Sequence, residues 1–362
     1  MEALGLAMRP INLDFWAGRR VLITGHTGFK GSWLSLWLSS LGADVYGIAL
    51  PPDTTPSLFN EADVGSGMRS FIGDIRNYEA VVHVMLECNP EIVFHMAAQP
   101  LVRASYEKPI ETYSTNVMGT VHVLEAARRA SRVRAIVNVT TDKCYENYGR
   151  DWGYRECDEI GGSDPYSNSK GCSELVTSAY RKSFLKGAGV ALASARAGNV
   201  IGGGDWARDR LVPDILRAFE GNTTALIRNP ESTRPWQYVL DPLCGYLTLA
   251  ECLLKEGQRY AEAWNFGPRD EDVKTVRWIA EYLAQAWGGS AGWIFDDRPH
   301  PKEAPHLKLD VSKAAERLHW EPKWNLPKAL TAAADWHRAW MMRVDVKEKC
   351  YQQIDDFMRG KP

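Results

Sequence analysis

The chain has 362 residues, 45% of them hydrophobic and 24% charged, with a formal net charge of −2. At roughly 100–200 residues per domain, that is two domains or one enlarged one with a sizeable core, and the charge gives no reason to expect nucleic acid or a membrane surface as partner. No apolar run approaches the ~20 residues of a membrane helix. The opening MEALGLAMRP lacks the basic start of a signal peptide, and seven dispersed cysteines without a CxxC pair suit a reducing cytoplasm.

In chain order, 20–24 (RVLIT) reads as a buried strand, followed by a glycine-rich turn and a helical pattern over 29–41. Further apolar runs at 43–49, 70–72, 91–96, 135–140 and 190–195 read as strands. Helical stretches at 78–87, 111–129 and 165–184 separate them. Near-continuous apolar strands alternating with helices predict a parallel sheet covered on both faces, with ligands beyond the strands' C-terminal ends. After about residue 198 Pro and Trp become frequent and strands are hard to place. The stretch 238–254 and a strand at 264–266 are expected to return to the sheet. The expected fold is α/β: a Rossmann-type doubly wound parallel sheet with a smaller mixed C-terminal substrate domain. Residues 18–198, with about 235–267, form the cofactor domain; residues 199–234 and 268–340 form the substrate domain.

Thr24-Gly25-His26-Thr27-Gly28-Phe29-Lys30-Gly31 joins the first strand to the first helix. Glycines at 25, 28 and 31 allow a sharp turn, close approach to a pyrophosphate and tight helix–strand packing, and the helix N-terminus offers free N–H groups to phosphates. Taken alone, such a stretch is an ordinary turn; its place between strand and helix favours dinucleotide binding. Asp74, in Gly73-Asp74-Ile75, ends the third strand and suits an adenine amine, although Asp there is as often a turn residue. His95-Met96-Ala97-Ala98 ends the fourth strand with small residues. The ribose is unaccounted for: the second strand ends in Leu50-Pro51-Pro52, with Asp53 beyond it, where an NAD enzyme usually carries an acidic residue.

Tyr166-Ser167-Asn168-Ser169-Lys170 places a phenol and an ammonium four residues apart, on one helical face. The cation favours the ionised phenol, which can take a proton from a sugar hydroxyl while a hydride leaves the same carbon. Pro165 marks the helix start. Thr141, at a strand end, can bond the same hydroxyl; Thr at such a position is also simply β-favourable.

These motifs resemble the extended short-chain dehydrogenase/reductase family from about residue 18 to 330: TGxxGFxG at 24–31, HxAA at 95–98, NVxGT at 116–120, Thr140-Thr141-Asp142 and YxxxK at 166–170. Within it the chain resembles the nucleotide-sugar 4,6-dehydratases. Thr141-Asp142-Lys143 stands where most of them carry Thr-Asp-Glu. That departure, with TGHTGFKG, 196–206 and 234–239, looks like the subgroup acting on CDP-glucose. The resemblance implies NAD as a regenerated cofactor, held by residues 25–31, Asp74, Ile75, Ala97, Ala98, Asn116, Tyr166 and Lys170. It implies Tyr166 as base at O4, Asp142 as acid at O6 and Lys143 at the C5 proton, although an exposed Lys143 would only carry charge. Asn199 and Arg234 would bind the diphosphate, and Gln99 and Arg103 the sugar. His26, where many relatives carry Gly, should crowd the pyrophosphate unless it points to solvent. Helices 111–129 and 165–184 are of the type that makes the family's dimer, so a homodimer or homotetramer is expected. His300 and His306 show no metal spacing, and no metal is expected. The alternatives are a 4-epimerase or another sugar-nucleotide dehydratase, and a non-catalytic Rossmann regulator.

Overall fold

The computed structural model describes residues 11–298 and 307–360; the opening ten residues, His300 and His306 lie outside the described residues. Among the described residues twelve strands follow in order: β1 (Arg20–Thr24), β2 (Asp44–Ala49), β3 (Arg69–Ile72), β4 (Ile92–His95), β5 (Ala135–Val139), β6 (Ala191–Ala197), β7 (Asn199–Ile201), β8 (Ala225–Ile227), β9 (Thr233–Tyr238), β10 (Ala263–Phe266), β11 (Val273–Thr275) and β12 (Trp293–Phe295). Seven make one sheet, ordered β3-β2-β1-β4-β5-β6-β10 and parallel at every pairing. The order reverses between β1 and β4, and the crevice beyond the strand ends at that point is where such sheets bind ligands.

Period-two alternation explains why the strands read as unbroken apolar runs. Val21, Ile23, Ile92, Phe94, Ala135 and Val137 enter the core on one face. Leu22, Val93, Ile136 and Leu192 enter a second core on the other. Helices cover both, so nearly every residue of the five inner strands is buried whichever way it points, while the edge strand β3 stays largely exposed. Helix Phe29–Ser40 is apolar around most of its circumference, with Trp33 and Trp37 fully buried, because it is enclosed on several sides. The C-terminal helix Val346–Met358 closes one of them, setting Phe357 edge-on to Trp37 at 5.7 Å.

The expected return to the sheet is found, in a different form. Tyr238 ends β9; the chain then enters helix Leu240–Glu256, buried at every residue from Leu240 to Leu253, and β10 pairs with β6. The second half also carries a mixed sheet, β11-β9-β7, and a two-stranded parallel ribbon, β12-β8. The stretches read as helices 111–129 and 165–184 are continuous helical runs, Pro109–Tyr113 through Arg129 and Pro165–Tyr180 through Leu185, each containing one wider π turn. No helix among the described residues is long and apolar enough to cross a membrane.

Candidate active site at the strand ends

The glycine turn leaves β1 with Gly25 at φ +79°, a left-handed value that favours glycine. A Cβ there would stand 2.7 Å from the Ala97 amide nitrogen, so only glycine at 25 lets the backbone after β4 come this close to the turn. A Cβ on Gly31 would collide with the Gly25 carbonyl, which fixes how closely the helix packs on the turn. Gly28 is the N-cap of Phe29–Ser40 and brings no capping side chain, so the first-turn N–H groups stay available for an anion. Thr27 Oγ1 donates to the Leu50 carbonyl at 2.8 Å, tying the turn to the end of β2. These features fit a dinucleotide's pyrophosphate.

His26 departs from expectation on both counts. Its ring is fully buried and turned toward β2 and β3, with Nε2 2.7 Å from Ser70 Oγ and Phe59 edge-on at 5.4 Å. Gly47 on β2 supplies the space: any side chain there would overlap the imidazole. The ring therefore neither points to solvent nor stands over the helix N-terminus, and burial lowers its pKa to about 4, keeping it neutral.

Asp74 spends part of its carboxylate on Arg76, accepting from its backbone N and Nε at 2.8 Å each. Ile75 is buried against helix Gly119–Arg129, where Gly119 leaves room for it. Asp53 is exposed, so the end of β2 still offers no inward acid for a ribose. Asn116 and Gln99 brace the protein itself. Asn116 donates to the Gln99 carbonyl (3.1 Å) and to Ser169 Oγ (2.8 Å), and accepts from the Gln99 amide (2.9 Å). The Gln99 side chain bonds Leu101 and Thr112, so its amide does not face a sugar as the sequence reading had it.

β5 and helix Pro165–Tyr180 meet at the chemical centre. Asp164 caps the helix, accepting from Ser167 N at 2.9 Å, and Pro165 occupies the first turn. Tyr166 lies buried beside Thr141. Burial raises the phenol to about 12, while the Thr141 hydroxyl and the Arg210 charge pull it down. Lys170 is buried too, its Nζ donating to the Val139 carbonyl at 3.2 Å. Arg210 thus joins Lys170 among the cations near this phenol, and the Asp142 charge opposes it. Burial lowers Lys170 to about 8, against Glu174 one helical turn on.

Thr141 Oγ1 donates to Asp142 Oδ1 at 3.0 Å. Asp142 is 3% exposed, and burial raises its pKa although Lys143, Thr141 and Arg234 oppose the shift. Gly198 makes this fit possible, because a Cβ there would stand 2.8 Å from Asp142 Oδ2. Lys143 is half-buried beside it.

Asn199 and Arg234 fall on neighbouring strands, β7 and β9, and Arg234 acts electrostatically on Asp142. Arg103 pairs with Asp209 at 3.1 Å; the same carboxylate oxygen takes Arg228 at 2.9 Å. Sequence reasoning missed Arg210, which is held by Asp205 at 2.9 Å, and Tyr246, which accepts from Lys30 Nζ at 2.9 Å. A signal for Arg210 was its place in the polar end of a Gly-rich loop; Tyr246 lies in an apolar helix and gave none.

Fold and site together define an α/β enzyme with a glycine turn for a dinucleotide and a Tyr–Lys helix beside an acidic strand end. The chain belongs to the GDP-mannose 4,6-dehydratase family, whose model matches residues 22–332. A CDP-glucose 4,6-dehydratase of Salmonella typhimurium is 56% identical over 353 residues, covering 96% of this chain and 98% of that one. A dTDP-glucose 4,6-dehydratase of Xanthomonas campestris pv. campestris is 26% identical, over 89% and 95%. Among solved structures, dTDP-glucose 4,6-dehydratase of Streptomyces venezuelae, with NAD and TYD bound, has a TM-score of 0.75 at 22% identity, covering 91% of this chain and 99% of that one. UDP-glucose 4-epimerase of Thermotoga maritima has 0.77 at 22%, over 89% and 99%. These two likenesses bear on the fold.

Proposed function

We propose that the chain catalyses the NAD-dependent 4,6-dehydration of CDP-glucose to CDP-4-keto-6-deoxyglucose, a step of deoxysugar biosynthesis. The observation that carries the reading is Asp142: a buried carboxyl kept toward its protonated form, one residue from Thr141 and close to the Tyr166 phenol. A 4-epimerase needs no acid there, whereas a dehydratase must protonate a leaving hydroxyl. The Salmonella relative supplies the choice of CDP-glucose.

When bound, NAD+ supplies the oxidant that accepts the C4 hydride and gives it back at C6. Tyr166, bonded by Thr141, takes the O4 proton. The ketone that forms at C4 acidifies C5, and Lys143 takes that proton as Asp142 protonates O6, which departs as water. Lys143 or solvent returns a proton to C5 once C6 is reduced. Solvent exchange carries the Tyr166 proton back to Asp142, which balances the cycle. Lys170 sets the charge beside the cofactor, Asn199 and Arg234 hold the nucleotide-sugar diphosphate from the substrate side, and Arg103 reaches the sugar. Residues 18–198 with 235–267 form the cofactor domain, and 199–234 with 268–340 the substrate domain. The protein works in the cytoplasm as a homodimer or homotetramer. Exposed Ile110, Met118, Leu175 and Phe184 on the two helical runs, 82%, 48%, 61% and 48% accessible, form the apolar face for that contact.

The test is side-by-side turnover of CDP-, dTDP-, UDP- and GDP-sugars with NAD+, read by the alkaline absorbance of the 4-keto-6-deoxy product. Turnover of CDP-glucose above the rest supports the reading; preference for another nucleotide overturns it.

A further inference from the structure

Lys30 is the second residue of helix Phe29–Ser40, immediately behind the glycine turn. Its side chain crosses the cleft to helix Leu240–Glu256, where Nζ donates to Tyr246 Oη at 2.9 Å and lies 5.0 Å from the ring centroid. Among the described residues Tyr246 is its polar partner. The charges facing it come from three other elements: Lys170 on helix Pro165–Tyr180, Arg210 ahead of helix Leu211–Glu220, and Asp142 after β5. Two of these are cations. The one anion is itself pushed toward its neutral form by burial. An ammonium so placed lacks a counter-charge until an anion enters, and the uncapped turn beside it is the place the proposed function gives to the cofactor's pyrophosphate.

We propose that Lys30 couples cofactor capture to proton uptake: its amine binds a proton from solvent as the dinucleotide's pyrophosphate settles against the glycine turn. The inference rests on the NAD reading above. In the free chain burial, with Lys170 and Arg210, lowers Lys30 to about 7. Two phosphate charges restore it toward the ordinary lysine range. Below pH 7 the amine is already charged and binding brings no proton. Above pH 7 it is neutral in the free protein and must be charged in the complex, so affinity falls as pH rises. With a folded value of 7, the cofactor Kd rises about fivefold from pH 7 to 8 and roughly fiftyfold from pH 7 to 9. His26, at about 4, stays neutral throughout. Lys170, at about 8, also titrates in this window, so the contribution of Lys30 is the difference between wild type and variant.

The experiment is calorimetric titration of the full chain with NAD+ at pH 8 in two buffers of different ionisation heat, repeated from pH 6.5 to 9. Wild type is expected to take up close to one proton more than Lys30→Met at pH 8, on the order of 0.9. Lys30→Arg, whose guanidinium is charged throughout, is expected to bind without that extra uptake and with the shallower pH slope. If circular dichroism shows Lys30→Met unfolded, the Arg variant decides. Equal uptake and equal slopes in wild type and variant overturn the proposal, as does Lys30-dependent uptake accompanying CDP-glucose instead of NAD+. Absence of any NAD+ binding by wild type overturns the cofactor reading itself, a failure visible before any variant is compared.

Discussion

Glu174 offers the sharpest test of how the catalytic helix is held. It lies one turn beyond Lys170 and is buried with Arg196, at 5% and 4% exposure. Its carboxylate accepts four hydrogen bonds: Thr140 Oγ1 at 2.5 Å, Ser194 Oγ at 2.7 Å, and Arg196 Nε and a terminal guanidinium nitrogen at 3.0 and 2.9 Å. One side chain thereby fixes the helix to β6 and to the residue preceding Thr141. Glu174→Gln keeps the volume but leaves a buried guanidinium without its counter-charge. The cost is about 3–5 kcal/mol, since removing one partner of a buried pair strands the other. Removing both charges, as Glu174→Met with Arg196→Met, is expected to cost less than the single change, because neither charge remains in the core. Urea unfolding of wild type and the two variants measures this, and a loss under about 1 kcal/mol for Glu174→Gln, or a double variant no more stable than Glu174→Gln, refutes the reasoning. The pH dependence carries the same sign: the arginine holds Glu174 below its ordinary range. Its stabilisation is therefore complete above about pH 4.5 and lost as pH falls through the lowered folded value.

Gly31→Ala forces a Cβ into the Gly25 carbonyl, so the helix must shift; loss of NAD+ binding with a folded circular dichroism spectrum is expected, and unchanged affinity contradicts the account of the turn. Asp142→Asn removes the acid at O6 and is expected to lower kcat by about 10²–10⁴-fold. In wild type kcat declines as pH rises through the raised Asp142 value, and this limb vanishes in the variant's residual activity. Leu175→Arg places a charge on the exposed apolar face and is expected to yield monomers by light scattering, with wild type at least dimeric.

Much of the fold was legible because five strands of the large sheet are buried on both faces and read as apolar runs. The second half was not, for a physical reason: β7, β8, β11 and β12 are three residues each, too short to show a period, and β9 contains Pro235 and Gln237. The glycine turn was legible because its three roles depend on local geometry. Directions were not: His26 turns away because Gly47 in another strand leaves space, and Lys30 turns inward to a tyrosine 216 residues on. Arg210 escaped because its effect on Tyr166 depends on how the loop after β7 folds over the cleft.

The most direct measurement is the isotopic composition of the product made from CDP-glucose and NAD+ in D2O. Abstraction at C5 by the residues at the β5 end, with internal hydride return to C6, predicts one deuterium at C5 and none derived from solvent at C6. A product carrying no deuterium at C5, or a merely epimerised sugar that keeps its C6 hydroxyl, contradicts the assignment.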